Sequence, residues 1–457
     1  MDFTNLFKNC GGKKSRIGVI GATKGYGYTL LAQVPYVELM ELRCICSRHP
    51  EECQAVLDEL PYKDKTIVTC ESIEDIKAAP EDAIIIVKDY HLVMETGVTS
   101  IVESTGNTAV SADAAQLALN RGINVYMVSK ETDSVCGTAL HQLAAANNAV
   151  YCLVNGDQPR NLIDLVSWAK TLGMEIIAAG KASEYDFSWN RETGKLLFTN
   201  GSSEPEDMPE LIDCWRYEGP ETLKKRRAHL DKYMDVISAD LCEMNLVSNI
   251  TGLVPAVPTL DYPICKASEL ADIFIPEEDG GILKKTGVVD VFNCLREEAE
   301  ASFGGGEFII VKVHNDSVWE TLEGKGHVRG RNGKYGCIYW PYHIMGVETP
   351  ISILLGDLLG IGTRTDCRQV SVLAGVAKED LKARTELIVH GHHHEIDGLT
   401  PELLEAKTVG NLAPYYLLNG TKLLKDVKRG DPVTLEDVDL SQLPIYKLYL
   451  DGLALNK

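Results

Sequence analysis

The sequence lacks the features that mark several large classes of protein. Its 457 residues contain no apolar run near the ~20 residues of a membrane-spanning helix, and runs such as Ala83–Val87 have the length of a strand. The N-terminal segment is polar and has no signal-peptide apolar region. The thirteen cysteines are scattered and include no Cys-x-x-Cys pair. We therefore predict a cytoplasmic protein with reduced thiols, no membrane association and no zinc cluster.

Positive charge is also scarce in this chain. Lysine and arginine number 45 against 66 aspartates and glutamates, so the formal net charge is −21. Such a field repels phosphate backbones, and we expect no nucleic-acid partner. Apolar residues make up 45% and charged residues 24% of the chain, which excludes a disordered, collagen-like or coiled-coil protein. The length is too great for one compact core and predicts several domains.

The first 130 residues alternate short β-branched runs with helical segments. Strands are predicted at residues 16–21, 40–46, 83–87, 100–103 and 125–128, and helices at 28–34, 50–60 and 111–120. Because such alternation is typical of βαβ units, it predicts a parallel sheet covered by helices. After residue 155 the pattern becomes α+β, and the last 70 or so residues are β-rich.

A glycine-rich loop follows the first predicted strand and opens the first long helix. It reads Gly21-x-x-x-Gly25-x-Gly27. Glycines allow a tight turn that approaches a pyrophosphate, and the helix N-terminus supplies N–H donors. We predict that a dinucleotide is bound here by Gly21, Thr23, Gly25, Tyr26 and Gly27; the alternative is a purely structural turn.

The end of the second strand indicates which dinucleotide is used. An acidic residue there would bind the ribose hydroxyls of NAD, whereas this chain has Ser47, Arg48 and His49. A guanidinium and a hydroxyl suit a 2′-phosphate, so we predict NADP(H), bound by Ser47 and Arg48. Glu51 and Glu52 follow closely and argue for NAD instead.

Two later strands also end in polar residues. Ser104, Thr105 and Gly106 follow one strand, and Lys130 follows another. Because ligands of open α/β sheets bind at the carboxyl ends of the strands, we assign all four to cofactor binding and Lys130 also to catalysis. The alternative for Lys130 is a solvated surface charge.

Further candidates lie at the domain transition and beyond it. Asn155, Asp157 and Gln158 form a polar turn at the transition, where pockets are common, and are predicted to bind substrate. Lys181 follows a strand and a glycine and is a candidate catalytic lysine. His343 precedes an apolar helix and is a candidate substrate ligand or proton carrier. The alternatives are an ordinary turn, a surface lysine and a structural histidine.

One long helix is predicted over about residues 221–249. At 100° per residue, Asp240 falls inside its apolar arc and Glu243 at the edge. A carboxylate on a buried stripe needs a partner, which is a lysine, a metal or a substrate group. We predict that both residues are catalytic and consider them as ligands of Mg²⁺ or Mn²⁺; the alternative is a structural salt bridge.

Two other segments have unusual compositions, a histidine cluster and an acidic stretch. His390, His392, His393 and His394 have the composition of a metal site, but a solvated loop explains them better. Residues 190–220 are acidic and rich in Gly, Ser and Pro, which predicts a long loop or insertion.

Several of these segments resemble a known group of enzymes. The opening βαβ unit, Ile101–Gly106 (IVESTG) and Val125–Lys130 (VYMVSK) resemble homoserine dehydrogenase. Other segments are similar to homoserine-dehydrogenase-like oxidoreductases with a C-terminal SAF domain, a group that includes the 1-deoxy-D-xylulose 5-phosphate reductoisomerase-like enzymes. These segments are Asn155–Pro159, Ala179-Gly180-Lys181, Glu243–Gly252 (EMNLVSNITG), Tyr339–Glu348 (YWPYHIMGVE) and Tyr416–Asp439.

The resemblance implies a fold and an activity. The expected fold is α/β, with a Rossmann-type NADP-binding domain over 1–155 completed by about 341–365. A catalytic and dimerisation domain follows over 156–340, and a β-rich SAF-like domain over 385–457. The implied activity is NADPH-dependent reduction of a ketose phosphate in isoprenoid precursor synthesis by a homodimer that needs a divalent metal. The alternatives are a homoserine dehydrogenase, a sugar-acid dehydrogenase, and a non-catalytic NADP sensor or interaction protein. The resemblance implies that a homoserine dehydrogenase would use an aspartate and lysines.

Overall fold

The computed structural model describes residues 2–8, 10–234, 237–391, 394–407 and 411–455. Internal contacts divide the chain into two compact units. The first comprises the described residues within Met1–Arg160, Ile344–Gln369 and Leu440–Lys457, and the second those within Asn161–His343 and Val370–Asp439. The boundaries of the three predicted domains stay a prediction.

The strands are numbered along the described chain. They are β1 (Ser15–Ile20), β2 (Met40–Cys46), β3 (Ile67–Thr69), β4 (Ile84–Val87), β5 (Ser100–Glu103), β6 (Asn124–Met127), β7 (Tyr151–Leu153), β8 (Ile176–Ala182), β9 (Phe187–Asn190), β10 (Lys195–Phe198), β11 (Glu206–Asp207), β12 (Val254–Pro255), β13 (Ile264–Cys265), β14 (Val288–Glu297), β15 (Glu307–Lys312), β16 (Val328–Arg329), β17 (Tyr335–Trp340), β18 (Ser371–Ala377), β19 (Glu386–Leu387), β20 (Val389–His390), β21 (Glu395–Ile396), β22 (Leu399–Glu405) and β23 (Thr421–Lys422).

The helices are numbered in the same way. They are α1 (Phe3–Phe7), α2 (Gly25–Gln33), α3 (Pro50–Glu59), α4 (Ile73–Ala78), α5 (Thr108–Leu119), α6 (Lys130–Ala146), α7 (Gln158–Thr171), α8 (Pro220–Leu230), α9 (Ser238–Thr251), α10 (Leu270–Ile273), α11 (Asp316–Glu323), α12 (Thr349–Leu359) and α13 (Pro444–Ala454). No helix in the described part of the chain has both the length and the apolar character that a membrane crossing requires.

The first unit is built on a parallel sheet of seven strands in the order β3-β4-β2-β1-β5-β6-β7. Without the short edge strand β3, this is the 3-2-1-4-5-6 order of dinucleotide-binding domains. The central strands are buried, as the near-continuous runs of Val and Ile require of a sheet covered on both faces. The prediction of an α/β fold with a Rossmann-type sheet is confirmed.

Helix α12 returns to this sheet and is fixed there by one carboxylate. Asp357 accepts hydrogen bonds from Thr99 (2.8 Å), Ser100 (2.8 Å), Asn124 (2.7 Å) and Tyr126 (2.7 Å), and also from Ser15. These donors belong to β1, β5 and β6 or to the residue before β5, so one side chain ties the helix to three strands.

The second unit is built on a mixed sheet. Strand β14 lies at its centre and pairs in parallel with β8, β9, β12 and β13, whereas β15 pairs antiparallel with β8 and with β17. A turn at Asn332-Gly333 joins β16 to β17 in an antiparallel hairpin, and Gly333 has the positive φ of 73° that such a turn requires.

Residues 190–220, predicted as a long loop, contain structure of their own. Strand β10 pairs with β9 and β11, and Pro209–Cys214 forms a 3₁₀ helix. Leu196, Leu211 and Trp215 are buried in a small hydrophobic cluster. The prediction was wrong because these apolar side chains are spaced among Gly, Ser and acidic residues, so that neither a strand nor a helix period is visible.

The single helix predicted over 221–249 is two helices. Helix α8 ends at Leu230, a 3₁₀ turn covers Asp231–Tyr233, and α9 begins at Ser238. Asp235 and Val236 lie outside the described residues. The apolar positions keep a helical period across the break, and this hides the break from the sequence.

The strands after residue 370 belong to the second unit. Strands β18 and β22 form an antiparallel pair against which α9 packs. Asn245 of α9 donates to the Ser371 carbonyl (2.9 Å), and Asn249 accepts from the Val370 and Ser371 amides (2.7 and 3.0 Å). The SAF-like assignment of this segment stays a prediction. Of the histidine cluster, His392 and His393 lie outside the described residues.

Candidate active site

The glycine loop lies between β1 and α2, at the carboxyl edge of the first unit's sheet. Gly21 has φ of +86°, and a Cβ there would lie 2.7 Å from the Ser104 carbonyl oxygen. A Cβ at Gly27, inside the first turn of α2, would lie 2.5 Å from the Gly21 carbonyl oxygen. Both glycines are therefore required by close backbone contacts.

A cleft of about 860 Å³ opens beside this loop, which is within the range of about 300–1,000 Å³ typical of cofactor pockets. Six of the predicted cofactor residues line it: Gly21, Thr23, Ser47, Arg48, Ser104 and Thr105. The other five do not: Gly25, Tyr26, Gly27, Gly106 and Lys130. The tertiary structure thus brings the ends of β1, β2 and β5 together around one space.

Three basic residues of this cleft were not among the predicted site residues. Lys24 lies in the glycine loop, His49 follows Arg48, and Lys88 follows β4 directly. The position of Lys88 at the end of a predicted strand was a usable signal, because the same kind of position was one of the grounds for selecting Lys130.

The rim of the cleft at β5 is organised by hydrogen bonds. The Ser104 hydroxyl donates to the carbonyls of Ile20 and Gly21 at 3.0 Å each, which joins β5 to the glycine loop. Glu103 is fully buried and accepts from the Thr105 amide (3.1 Å) and hydroxyl (2.6 Å). Burial raises the pKa of Glu103, against the lowering effect of its hydroxyl and amide donors. Glu103 therefore fixes the loop that carries Thr105.

Tyr26 and Asn155 form hydrogen bonds that connect three elements of the first unit. The Tyr26 hydroxyl donates to the Asn155 carbonyl (3.0 Å) and lies 2.7 Å from the Thr349 hydroxyl. The Ser352 hydroxyl donates to Asn155 Oδ1 (2.7 Å). These contacts attach α2 and the turn after β7 to the start of α12, so they give both residues a structural role beside the predicted binding role.

The structure brings the predicted residues Lys130 and Asp157 together. Lys130 Nζ lies 3.3 Å from Asp157 Oδ1, which also accepts from the Gln158 amide at 3.1 Å. Asp157 is buried and Lys130 half-buried. The pair joins the start of α6 to the start of α7 and orients the lysine.

A second group of polar side chains lies inside the second unit. Lys181 of β8 points at α9, where its ammonium binds Asp240 (2.7 Å) and Glu243. The Ser183 hydroxyl donates to the other Asp240 oxygen at 2.8 Å. Lys181, Asp240 and Glu243 are each at most 3% exposed. These four residues are called the Lys181 cluster below.

The prediction that Asp240 and Glu243 lie on a buried face and need a partner is confirmed, and the partner is a lysine. Asp240 and Glu243 are three residues apart, so they share one face of α9. Burial lowers the pKa of Lys181, but the two carboxylates outweigh burial and hold that pKa above its ordinary value. Lys181 is therefore a permanently charged hydrogen-bond donor.

Asp240 and Glu243 do not fit a divalent metal as they are arranged. The Lys181 ammonium already occupies the position between them that a cation would take. Mg²⁺ or Mn²⁺ needs about six oxygen ligands, and among the described residues no three His, Cys, Asp or Glu side chains converge on one point. We derive no chemistry through a metal at this cluster.

His343 is engaged at one nitrogen. Its Nδ1 lies 2.8 Å from the Gly305 carbonyl oxygen. A carbonyl oxygen only accepts, so the neutral ring carries its proton on Nδ1. This contact anchors the end of the segment after β17.

The topology and the glycine loop define the class of the first unit, which is an NAD(P)-binding fold. Residues 156–349 match the family model described as Oxidoreductase DRL, catalytic domain. The matched segment contains Lys181, Asp240, Glu243 and His343, and it is less than half of the chain. Residues 156–349 are thus similar to an oxidoreductase catalytic domain, and the first unit has the predicted NAD(P)-binding fold. No curated protein matches the sequence.

Solved structures of low similarity complete the comparison. An oxidoreductase from Agrobacterium radiobacter, in complex with NAD+, L-tartaric acid and magnesium, has 10% identity and a TM-score of 0.37 over 78% of this chain and 91% of that one. The Zymomonas mobilis 1-deoxy-D-xylulose 5-phosphate reductoisomerase with NADPH has 11% identity and a TM-score of 0.32 over 52% and 59%. The WlbA dehydrogenase from Bordetella pertussis, in complex with NADH and UDP-GlcNAcA, has 14% identity and a TM-score of 0.27 over 39% and 49%, so the chain spans about half its length. No substrate or cofactor is inferred from these likenesses.

Proposed function

We propose that the protein is an NADP(H)-dependent oxidoreductase that acts on the carbonyl or hydroxyl group of a small polar substrate. One observation carries the proposal. The glycine loop and the ends of β2 and β5 surround a cleft of about 860 Å³ with backbone and side-chain donors suited to a dinucleotide. The reaction class follows from the match of residues 156–349.

The residues around the cleft fit the cofactor. Gly21 and Thr23 would lie against the diphosphate at the α2 N-terminus, and Arg48 with Ser47 would hold the adenosine ribose and its 2′-phosphate. Ser104 and Thr105 would contact the cofactor beyond the diphosphate, on its nicotinamide side. The bound nicotinamide would supply the two-electron reducing equivalent.

Lys181 is the proposed group that binds and polarises the substrate oxygen. Its ammonium is held in one orientation by Asp240 and Glu243, and its charge persists throughout the physiological pH range because of them. A fixed cation stabilises the negative charge that develops on the oxygen when a carbonyl is reduced. Asp240 and Glu243 act through Lys181 and are positioning residues in this scheme. Lys130, held by Asp157, is the second lysine available for an oxygen or a proton.

The leading substrate class is a ketose phosphate. It rests on the resemblance of Ala179-Gly180-Lys181 and Glu243–Gly252 to the reductoisomerase-like group. One structural observation favours a second candidate, which is interconversion of an aldehyde and an alcohol as in homoserine dehydrogenase. The Lys181 cluster pairs a lysine with carboxylates and does not fit a metal, and the homoserine enzyme uses an aspartate and lysines.

The experiment that tests this function is NADPH oxidation followed at 340 nm. The panel contains ketose phosphates, sugar acids in the reverse direction, and aspartate semialdehyde, each with and without Mn²⁺. Turnover of a ketose phosphate supports the first candidate, and metal-independent turnover of the aldehyde supports the second. Tight NADPH binding with no turnover of any carbonyl would instead support a non-catalytic sensor.

The same assay tests the role of Lys181 by comparing two lysine variants. We expect Lys181→Met to lower kcat by at least about 100-fold while the Kd for NADPH changes less than about twofold, because one transition-state donor is lost. Lys312→Met, on the exposed end of β15, is the matched control and should retain full activity. A Lys181→Met enzyme with normal kcat contradicts the proposed role.

A further inference from the structure

We propose that Lys88 is a specificity-determining residue that, with Arg48, forms a two-cation site for the 2′-phosphate of NADP(H). The inference rests on the proposed function and extends it from the single arginine that the sequence indicated. It is carried by the position of both residues at the ends of neighbouring strands, by the lack of a partner for either cation among the described residues, and by their shared cleft.

Lys88 and Arg48 follow the ends of two neighbouring strands. Strands β2 and β4 are parallel, and Cys46 is opposite Val87. The Ser47 amide donates to the Val87 carbonyl at 3.2 Å and completes this last pair. Lys88 is therefore level with Ser47, one residue before Arg48. Both Lys88 and Arg48 line the cleft.

Neither cation is used by the protein itself. Within the part of the chain that the structure describes, no carboxylate or carbonyl binds the side chain of Arg48 or of Lys88. Arg43, on the same strand β2, provides the contrast, since its guanidinium donates to the carbonyls of Pro80, Ala83 and Thr96. Arg48 and Lys88 are exposed at the cleft and available to a ligand.

The acidic residues of the cleft do not remove this preference. Asp89 Oδ1 lies 2.6 Å from His91 Nδ1 and accepts from the His91 amide at 3.0 Å. Burial raises the pKa of Asp89, but His91 outweighs burial and holds that pKa below its ordinary value. Glu52 lies in the first turn of α3, where the helix dipole offsets a negative charge. Glu71 is the third acid of the cleft. These three acids oppose a bound phosphate. We therefore expect each cation to favour NADPH over NADH by about tenfold.

The chemistry of the ligand selects between the two dinucleotides. A 2′-phosphate offers up to two negative charges and three acceptor oxygens, enough for a bidentate guanidinium and an ammonium together. The 2′-hydroxyl of NADH offers no charge. Loss of Lys88 should thus weaken binding of a 2′-phosphorylated ligand and leave binding of NADH almost unchanged.

The experiment measures Kd by titration for the full-length protein with three probes: NADPH, NADH and adenosine 2′,5′-bisphosphate. For Lys88→Ala we expect about a tenfold rise in Kd for NADPH and for the bisphosphate, and less than a twofold change for NADH. Arg48→Ala should show the same pattern with an equal or larger effect. These Kd values do not depend on turnover.

Two matched lysine variants serve as controls. Lys24→Ala alters the same cleft at the glycine loop and should weaken NADPH and NADH equally, because both carry the diphosphate. Lys63→Ala, exposed outside the cleft, should change neither. Equal losses for NADPH and NADH in Lys88→Ala, or no loss, would overturn the inference while the oxidoreductase function stands. A wild-type protein that binds neither dinucleotide would overturn both.

Discussion

The charge of Lys181 is stabilised inside the protein by two carboxylates. Moving an ammonium out of water costs several kcal/mol, and the cost is recovered only when anions and hydrogen bonds compensate it. Asp240 and Glu243 supply both, and Ser183 satisfies the remaining Asp240 oxygen. Removing the lysine leaves its two buried carboxylates without their shared cation, so stability and catalysis should both respond.

We expect Lys181→Met to lower the free energy of unfolding by about 3–5 kcal/mol, measured by urea denaturation, because it breaks a buried ionic cluster. The triple variant that adds Asp240→Asn and Glu243→Gln removes the charges as well and should recover most of that stability without recovering activity. The exposed Lys312→Met control should change stability by less than about 1 kcal/mol. A loss below about 1 kcal/mol in Lys181→Met would show that the cluster is not a compensated buried charge.

Helix α12 shows how an element distant in sequence can complete a sheet. Its residue Asp357 collects hydrogen bonds from five side chains at or beside β1, β5 and β6, all of which precede it by more than 200 residues. In the described part of the chain, no lysine or arginine pairs with Asp357, and its carboxylate is stabilised by these neutral donors. The helix is therefore fixed by a specific polar contact in addition to its apolar face.

We predict that Asp357→Ala lowers the free energy of unfolding by about 3 kcal/mol, because the buried hydroxyls of Ser15, Ser100 and Tyr126 and the half-buried Asn124 amide lose their acceptor. Asp82→Ala, at an exposed loop position, is the matched control and should change stability by less than about 0.5 kcal/mol. Chemical denaturation of the three proteins measures the difference. Equal midpoints for wild type and Asp357→Ala would mean that apolar packing alone holds α12.

The pH dependence of stability is a property of the whole molecule to which a few buried groups contribute most. Burial, with the charges of Arg364 and Arg160, lowers the pKa of His141 from 6.5 to about 3. Between pH 6.5 and pH 3, the folded state thus binds fewer protons than the unfolded state. The stabilising contribution of His141 to the free energy of unfolding is therefore fully present above pH 6.5 and is lost as pH falls toward 3. Burial raises the pKa of Asp133 from 3.8 to about 6, and this acts in the opposite direction over part of the same range.

Comparison with His141→Gln isolates the histidine from all other groups. Between pH 7 and pH 5, we expect wild type to lose about 2 kcal/mol more unfolding free energy than the variant, since the histidine shift is worth about 1.4 kcal/mol per pH unit below 6.5. Urea denaturation at each pH gives the two slopes. The starting stability of the variant does not enter the comparison, and parallel slopes would contradict the expected role of His141.

The sequence by itself determined most of the first unit. Strands β2 and β5 lie where the apolar runs indicated, and Gly21 and Gly27 were identifiable because a strand, a glycine loop and a helix follow one another within 20 residues. The signals are local: a buried parallel strand needs a continuous apolar run, and a tight turn needs glycine. The inward face of Asp240 was also predictable, because it depends only on helical periodicity.

The tertiary structure alone decided which residues meet. Lys181 and Asp240 are 59 positions apart, and only the packing of α9 on β8 makes each the partner of the other. Arg48 and Lys88 became one candidate site because β2 and β4 are neighbours in the sheet and both residues line one cleft. Charge compensation, strand register and helix ends depend on neighbours in space, and these neighbours are set by the fold as a whole.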